Sequence, residues 1–275
     1  MKKETERFAR LFRGLNRAYG ALDLTTKDAR GKQKGVYKFV HEPRTFATYE
    51  AHLGGEASIG VVPINEDNAC LWGAIDIDQY PLDHGEILKK LSLLEIPLVV
   101  CRSKSGGAHL YLFFKELIEA EKVQLKLKEI AAEIGYGGCE IFPKQIKLVL
   151  ERGDNGNFLN LPYFDHEGGL RYAFNKDGSA ATLAEFLDQA EAAAITEDQL
   201  DGLLSKSVPV VDERLKDGPP CLQALMRQGF PEGTRNNGLF NLGVYLRKAY
   251  PDDWETKILD YNQTIMEPAL DLKEV

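Results

Sequence analysis

The chain has 275 residues, 44% hydrophobic and 28% charged, which suits one large domain plus a small one in an ordinary water-soluble protein. Its formal net charge is −8, but residues 1–44 hold 12 Lys/Arg against 5 Asp/Glu, while residues 177–217 hold 10 acids and 3 bases. Local field rather than net charge governs anion binding, so the acidic total does not exclude a polyanionic partner.

The chain begins Met1, Lys2, Lys3, Glu4 with no apolar segment behind it, so no secretory signal is expected. The most apolar stretch, about Leu91 to Cys101, is broken by Glu95 and is too short to span a membrane. A cytoplasmic protein with no membrane partner is expected. Cys70, Cys101, Cys139 and Cys221 form no Cys-x-x-Cys pair, and the five histidines add no zinc spacing, so reduced thiols are expected.

In chain order, Phe8, Leu11, Phe12 and Leu15 recur at helical spacing, with Arg7, Arg10, Arg13 and Arg17 on the other face. This predicts an amphipathic helix to about Tyr19, whose cations are either a solvated face or a phosphate-binding one. Lys27 to Gly35 reads as a loop. Strands are predicted at Ile59–Ile64, Cys70–Asp78, Leu98–Ser103, His109–Phe114, Ile146–Glu151 and Phe158–Phe164. Helices are predicted over about Asp83–Glu95, capped by Asp83 and Glu86, and about Glu116–Ile134, with Leu125, Leu127, Ile130 and Ile134 in its apolar stripe.

From Ala181 the pattern turns helical, with capping boxes at Thr182/Glu185 and Thr196/Gln199. Residues 208–220 read as a linker between a domain at 1–207 and a small helical one at 221–275. In the latter, helices are predicted at Leu222–Gln228, Asn236–Tyr250 and Asp253–Met266. The fold class is α+β, a mixed sheet domain followed by a small all-α one.

Three constellations carry chemistry. In the strand from Trp72 to Asp78, alternation places Ala74, Asp76 and Asp78 on one face and Ile75 and Ile77 on the other. Two carboxylates on one face repel unless cations lie between them, and hard divalent ions favour oxygen donors; a lone Asp-x-Asp is otherwise a solvated strand end. The second constellation runs from Cys101 to His109. Arg102, Ser103, Lys104 and Ser105 offer donors, Gly106 and Gly107 let backbone N–H groups approach an anion, and His109 can donate to phosphate. The alternative is a plain hairpin. The third is Glu140, an acid in an apolar run, with Lys144 and Lys147 nearby. It either completes a three-carboxylate cradle with Asp76 and Asp78 or is an exposed glutamate. Paired acids, a phosphate loop and a third acid in that order suit nucleotidyl transfer assisted by two metal ions.

These motifs resemble the archaeo-eukaryotic primase superfamily: Asp76–Asp78 its first motif, Ser105–His109 its second, Glu140 the acid of its third. Leu11–Gly14, His52–Gly54, Gly60–Ile64, Phe142–Gln145 and Gly156–Pro162 resemble one branch, the primase-polymerases of phages, mobile elements and TOTE-type conflict systems. The segments Glu232–Phe240 and Glu267–Leu270, with Asn262, resemble the helical primase C-terminal domain.

The resemblance implies an RRM-like catalytic domain and a template-dependent DNA primase-polymerase. Such an enzyme releases pyrophosphate on joining nucleotides to a 3′-hydroxyl in phage or mobile-element replication. It implies two Mg²⁺ or Mn²⁺ ions on Asp76, Asp78 and Glu140, a nucleoside triphosphate (dNTP or NTP) at His109, a single-stranded DNA template with its primer, and a helicase in the same longer chain or apart. Arg13, Arg44, Arg235 and Arg247, with Lys248, are candidate DNA contacts. Rival readings are a non-catalytic single-strand binding module and a replication-initiator nuclease. The nuclease lacks its second metal histidine, since Leu110 and Tyr111 follow His109.

Overall fold

The computed structural model describes residues 2–23, 36–204, 215, 218–220, 222–223, 230, 235–266 and 269–271. The predicted loop at Lys27–Gly35, most of the linker, and most of the helix at Leu222–Gln228 lie outside the described residues.

Four strands from the middle of the chain form an antiparallel sheet: β4 (Ala69–Ile77), β5 (Val99–Arg102), β6 (Ala108–Glu119) and β7 (Glu140–Phe142), in the order β5-β6-β4-β7. Helix α3 (His84–Leu93) connects β4 to β5, and α4 (Ala120–Glu133) connects β6 to β7. The chain order β-α-β-β-α-β, with β4 and β6 in the centre, is the RRM-like arrangement that the family resemblance implies. Asp83 caps α3 by accepting from Glu86 N, as its sequence predicts.

Strand alternation decides what each sheet face does. Trp72, Ala74, Tyr111, Phe113 and Phe142 are buried with Phe12, Leu53 and Phe186 in one aromatic-rich core. The Phe12 ring stands edge-on to Trp72, Tyr111 and Phe113 at 5.4, 5.4 and 5.7 Å. Asp76 follows Trp72 and Ala74 at period two, so it lies on this same face where the core ends.

A second antiparallel sheet has the order β2-β1-β3-β8, from β1 (Tyr19–Asp23), β2 (Val36–Val40), β3 (Ile59–Val61) and β8 (Leu159–Asn160). Helices α1 (Lys2–Leu11), α2 (Phe46–Leu53), α5 (Leu183–Ala193) and α6 (Glu197–Gly202) complete this part of the chain. Helices α5 and α6 carry the capping boxes expected at Thr182 and Thr196.

The chain divides into two compact units, Met1–Leu127 with Glu140–Leu203, and Lys128–Cys139 with Leu204–Val275. In the second, α7 (Arg235–Ala249) and α8 (Trp254–Ile265) bury Leu239, Leu242, Leu246, Ile258 and Tyr261. Asn262 fastens the segment after α8, donating to Leu270 O (2.8 Å) and accepting from Leu270 N (2.9 Å).

Several sequence expectations need correction. The first helix stops at Leu11 rather than near Tyr19, because Leu15 N turns away to donate to Val62 O at 2.9 Å. Residues 146–151 form no strand. Leu148 N donates to the Asn68 side chain at 2.7 Å, and Leu150–Arg152 is a 3₁₀ turn with Ile146, Val149 and Leu150 exposed. Helix α4 starts later than predicted because β6 runs on to Glu119, and Leu125 is exposed rather than part of its buried stripe. Strands β1, β2 and β7 and helix α2 had no clear sequence signal. Helix α2 is capped by a Thr45/Thr48 pair in place of the usual Ser/Thr with Glu/Gln.

Among the described residues, no helix is long and apolar enough to cross a membrane. Cys70 and Cys101 are free and buried, and Cys139 is half-buried.

Candidate active site

The register of three adjacent strands builds the site. Asp76 on β4 stands opposite His109 on β6 and opposite Glu140 on β7. Directly opposed residues share a sheet face with Cβ atoms about 5 Å apart. The backbone thus sets His109, Asp76 and Glu140 in one row across the sheet, and Asp78 lies just past the end of β4.

The charges in this row are unbalanced. Asp76 Oδ1 is buried without a hydrogen-bond partner. His109 Nε2 lies 3.4 Å from it, too poorly placed to serve as a donor. The Asp76 carboxyl is pushed up to about 7, first by burial, then by the charges of Asp78 and Glu140, against a smaller opposing effect of Lys144. His109 is held down at about 4, mainly by burial and then by Arg171, so its ring is neutral at pH 7 and does not neutralise Asp76. Its Nδ1 is anchored 3.1 Å from Tyr111 Oη, and that hydroxyl donates to Asn160 O at 3.3 Å. The Nε2 end therefore faces Asp76.

Side chains do not close the cradle that the backbone sets up. Glu140 is exposed, and its Oε2 takes an ion pair with Lys144 Nζ at 2.7 Å. Among the described residues, no three His, Cys, Asp or Glu groups stand together as metal donors. The donor set nonetheless fits a divalent cation. It offers hard carboxylate oxygens, one buried without a donor, whose mutual repulsion a cation relieves.

The loop from Arg102 to His109 is a tight hairpin. Ser103 N donates to Gly107 O and Gly106 N to Ser103 O. Gly106 has φ +99°, and a Cβ at Gly107 would lie 2.2 Å from Ile77 O, so both glycines are required where the loop meets the end of β4. His84, at the start of α3, braces the loop from outside with Nε2 3.1 Å from Gly107 O. Arg102 donates to Ser103 O and Leu170 O. Ser103 Oγ is buried without a hydrogen-bond partner, whereas Lys104 and Ser105 are exposed.

The remaining expected residues are dispersed. Lys147 is exposed outside any strand. Arg44 is not a free DNA contact, because it donates to Leu15 O and Tyr49 Oη and so ties α2 to the turn after α1. Arg13 donates to Arg10 O from an exposed position. In the second unit, the Arg247 guanidinium lies over the Trp254 ring at 5.8 Å, and Arg235 is half-buried.

Three residues around the site were not among the site residues expected from the sequence. Tyr111, two positions after His109 on the same face, was findable by alternation. Asn160 has a buried Oδ1 without a hydrogen-bond partner. Arg171 is buried, and its hydrogen-bond partners among the described residues are the neutral groups Ser58 Oγ, Leu161 O and Tyr37 Oη. Nothing local in its sequence marks it.

No curated protein matches the chain significantly. Among solved structures, it is similar to the archaeo-eukaryotic primase domain of the cyanophage S-2L primase-polymerase. That likeness has 11% identity and a TM-score of 0.39, over 69% of this chain and 98% of that one. It is also similar to primase RepB′, with 12% identity and a TM-score of 0.38, over 99% of this chain and 83% of that one. A third likeness is the RepB′ catalytic domain in complex with initiator DNA, with 11% identity and a TM-score of 0.34, over 73% of this chain and 95% of that one. The family model described as the archaeo-eukaryotic primase domain of the TOTE conflict system matches residues 23–203, about two thirds of the chain. These matched residues include β4, the hairpin loop and β7, so the chain belongs to that archaeo-eukaryotic primase family and, with it, to the primase-like nucleotidyltransferases.

Proposed function

We propose that the chain is a template-dependent DNA primase-polymerase that extends a 3′-hydroxyl from nucleoside triphosphates, releasing pyrophosphate, in phage or mobile-element replication. The observation that carries this reading is the row His109–Asp76–Glu140, with Asp78 just past the end of β4 and a glycine hairpin beside it. Asp76, Asp78 and Glu140 are the residues to hold two Mg²⁺ or Mn²⁺ ions. Such ions, when bound, supply Lewis-acid activation of the attacking hydroxyl and charge neutralisation on the triphosphate.

The chain's own groups do the rest. Asp76 must be ionised to serve; pushed up to about 7, it is only partly ionised at neutral pH, and a cation beside it would favour the ionised form. Lys144 is placed to exchange its partner Glu140 for a phosphate oxygen. In the Ser103–Gly107 turn the Ser103 and Gly106 N–H groups are taken inside the hairpin, so the exposed Lys104 ammonium and Ser105 hydroxyl are the donors it offers an anion. Tyr111 fixes the His109 ring so that Nε2 stays at the row. Single-stranded template and primer are the macromolecular partners, with a helicase acting on the same DNA. In the C-terminal helical unit, Arg247 and Lys248 are exposed on the last turn of α7 and available to a template backbone.

The test is incorporation of labelled nucleotides on primed and unprimed single strands with Mg²⁺ or Mn²⁺, comparing wild type with Asp76→Ala. Incorporation by the wild type, lost by at least about a thousandfold in the folded variant, is expected for a centre whose charge stabilisation depends on this carboxylate. Normal primer extension by Asp76→Ala would remove the assignment.

A further inference from the structure

Tyr80 belongs to none of the motifs that point to the site, and 54% of it is exposed to solvent. Its hydroxyl nevertheless touches both halves of the proposed centre. It lies 2.9 Å from Asp78 Oδ1 and 2.6 Å from Ser105 Oγ. A phenol has one proton, and an ionised carboxylate can only accept. Tyr80 therefore donates to Asp78, and Ser105 must donate to the Tyr80 oxygen. The three groups form a directed chain from the phosphate loop, through the phenol, to the carboxylate.

This chain of hydrogen bonds joins two segments just beyond the Ile77–Ala108 end of the β4–β6 ladder. Asp78 and Ser105 both lie past the paired ends of β4 and β5, where the ladder no longer fixes a side chain. An exposed carboxylate on such a flank is free to rotate, and ordering it for a ligand costs rotamer entropy. The phenol holds one Asp78 oxygen and leaves the other available. It also occupies the single Ser105 proton, so a phosphate entering the loop competes with Tyr80 for that donor.

We propose that Tyr80 is a positioning residue that couples the metal-binding carboxylate Asp78 to the nucleotide-binding loop at Ser105. The proposal rests on the reading of Asp78 as a ligand of the divalent ion. Removing the hydroxyl alone releases both ends of the chain while the ring stays in place.

The experiment is a titration of the full chain with Mn²⁺, followed by electron paramagnetic resonance without nucleotide or DNA, for wild type, Asp78→Asn, Tyr80→Phe, Ser105→Ala and the Tyr80→Phe/Ser105→Ala double variant. Tyr80→Phe is expected to weaken Mn²⁺ binding about fivefold, the effect of one net hydrogen bond. Ser105→Ala, acting only through the phenol, is expected to weaken it about twofold, and the double variant no more than Tyr80→Phe alone. The unfolding midpoint of Tyr80→Phe should match wild type, since the phenol is exposed, so the change in affinity is not a folding defect. Wild-type affinity in Tyr80→Phe together with weakened binding in Asp78→Asn overturns the coupling and leaves the metal site standing. Wild-type affinity in Asp78→Asn overturns the metal reading itself. Additive losses in the double variant also overturn the coupling, because the two hydroxyls would then act by separate routes.

Discussion

The cationic face of α1 and the acidic end of the central sheet both bear closely spaced like charges, and the fold treats them in opposite ways. On α1, Arg7 Nη2 reaches Asp188 at 2.6 Å and Glu191 at 2.9 Å, and Arg10 reaches Glu191 at 2.8 Å. Helix α5 thus supplies acids to that face of α1. On β4, Asp76 meets two more acids and a neutral histidine, and its Oδ1 has no donor. Charge matched inside the chain helps hold the fold, whereas charge left among its own kind costs stability and is available to a ligand of opposite sign. This difference shifts the weight of the functional reading away from the basic N-terminus and onto the acids.

The largest effect that sharpens this contrast is at Asp76. Its replacement by alanine, which should abolish incorporation, should leave the melting temperature unchanged or raised, since the lost carboxylate is buried without a donor. Differential scanning calorimetry on the same preparation checks this, and a large fall in melting temperature would place Asp76 with the structural charges.

A second, smaller effect is in the pH dependence of stability. His52 is buried between Pro162 O (2.8 Å) and Ile59 N (3.1 Å) and is pulled down to about 4, chiefly by burial. Its folded pKa lies below the ordinary 6.5, so the unfolded chain takes up the proton first. Stability from this group is complete above about pH 6.5 and declines as pH falls toward 4, by on the order of 3 kcal/mol. His109, also held at about 4, adds to that slope. Asp76 works the other way: with a folded pKa of about 7 against an ordinary 3.8, the folded chain takes up the proton first, and stability rises as pH falls through that range. Asp76→Ala removes the opposing slope, so its urea midpoint should drop more steeply than wild type between pH 7 and pH 5. Equal slopes would show that Asp76 is not burdened by its surroundings.

The smallest effect is at the matched face. Arg7→Ala should cost less than about 1 kcal/mol, as for other partly exposed ion pairs. Affinity for single-stranded DNA, read by fluorescence anisotropy, should stay within about twofold of wild type. A severalfold loss of DNA affinity would move α1 to the ligand-facing side of the comparison.

Much of the site was legible because its signals are local. Alternation along Trp72–Asp78 set the faces of β4, the two glycines marked the hairpin after β5, and Asp83, Thr182 and Thr196 marked helix starts. The same local logic failed at 146–151, where an apolar run finds no strand partner and turns instead. It also gave too long a first helix and a buried Leu125.

What the sequence by itself determined was periodicity, caps and the presence of three acids beside a glycine loop, since these depend on neighbours within a few residues. Only the tertiary structure decided which charges are matched. The pairing of β7 with β4 puts Glu140 across from Asp76, α5 neutralises Arg7 and Arg10, Arg44 is taken by the turn after α1, and Tyr80 joins Asp78 to Ser105. Each of these depends on a distance between segments far apart in the chain. A charge's burial and its partners, which set its cost and its use, exist only once those segments have packed.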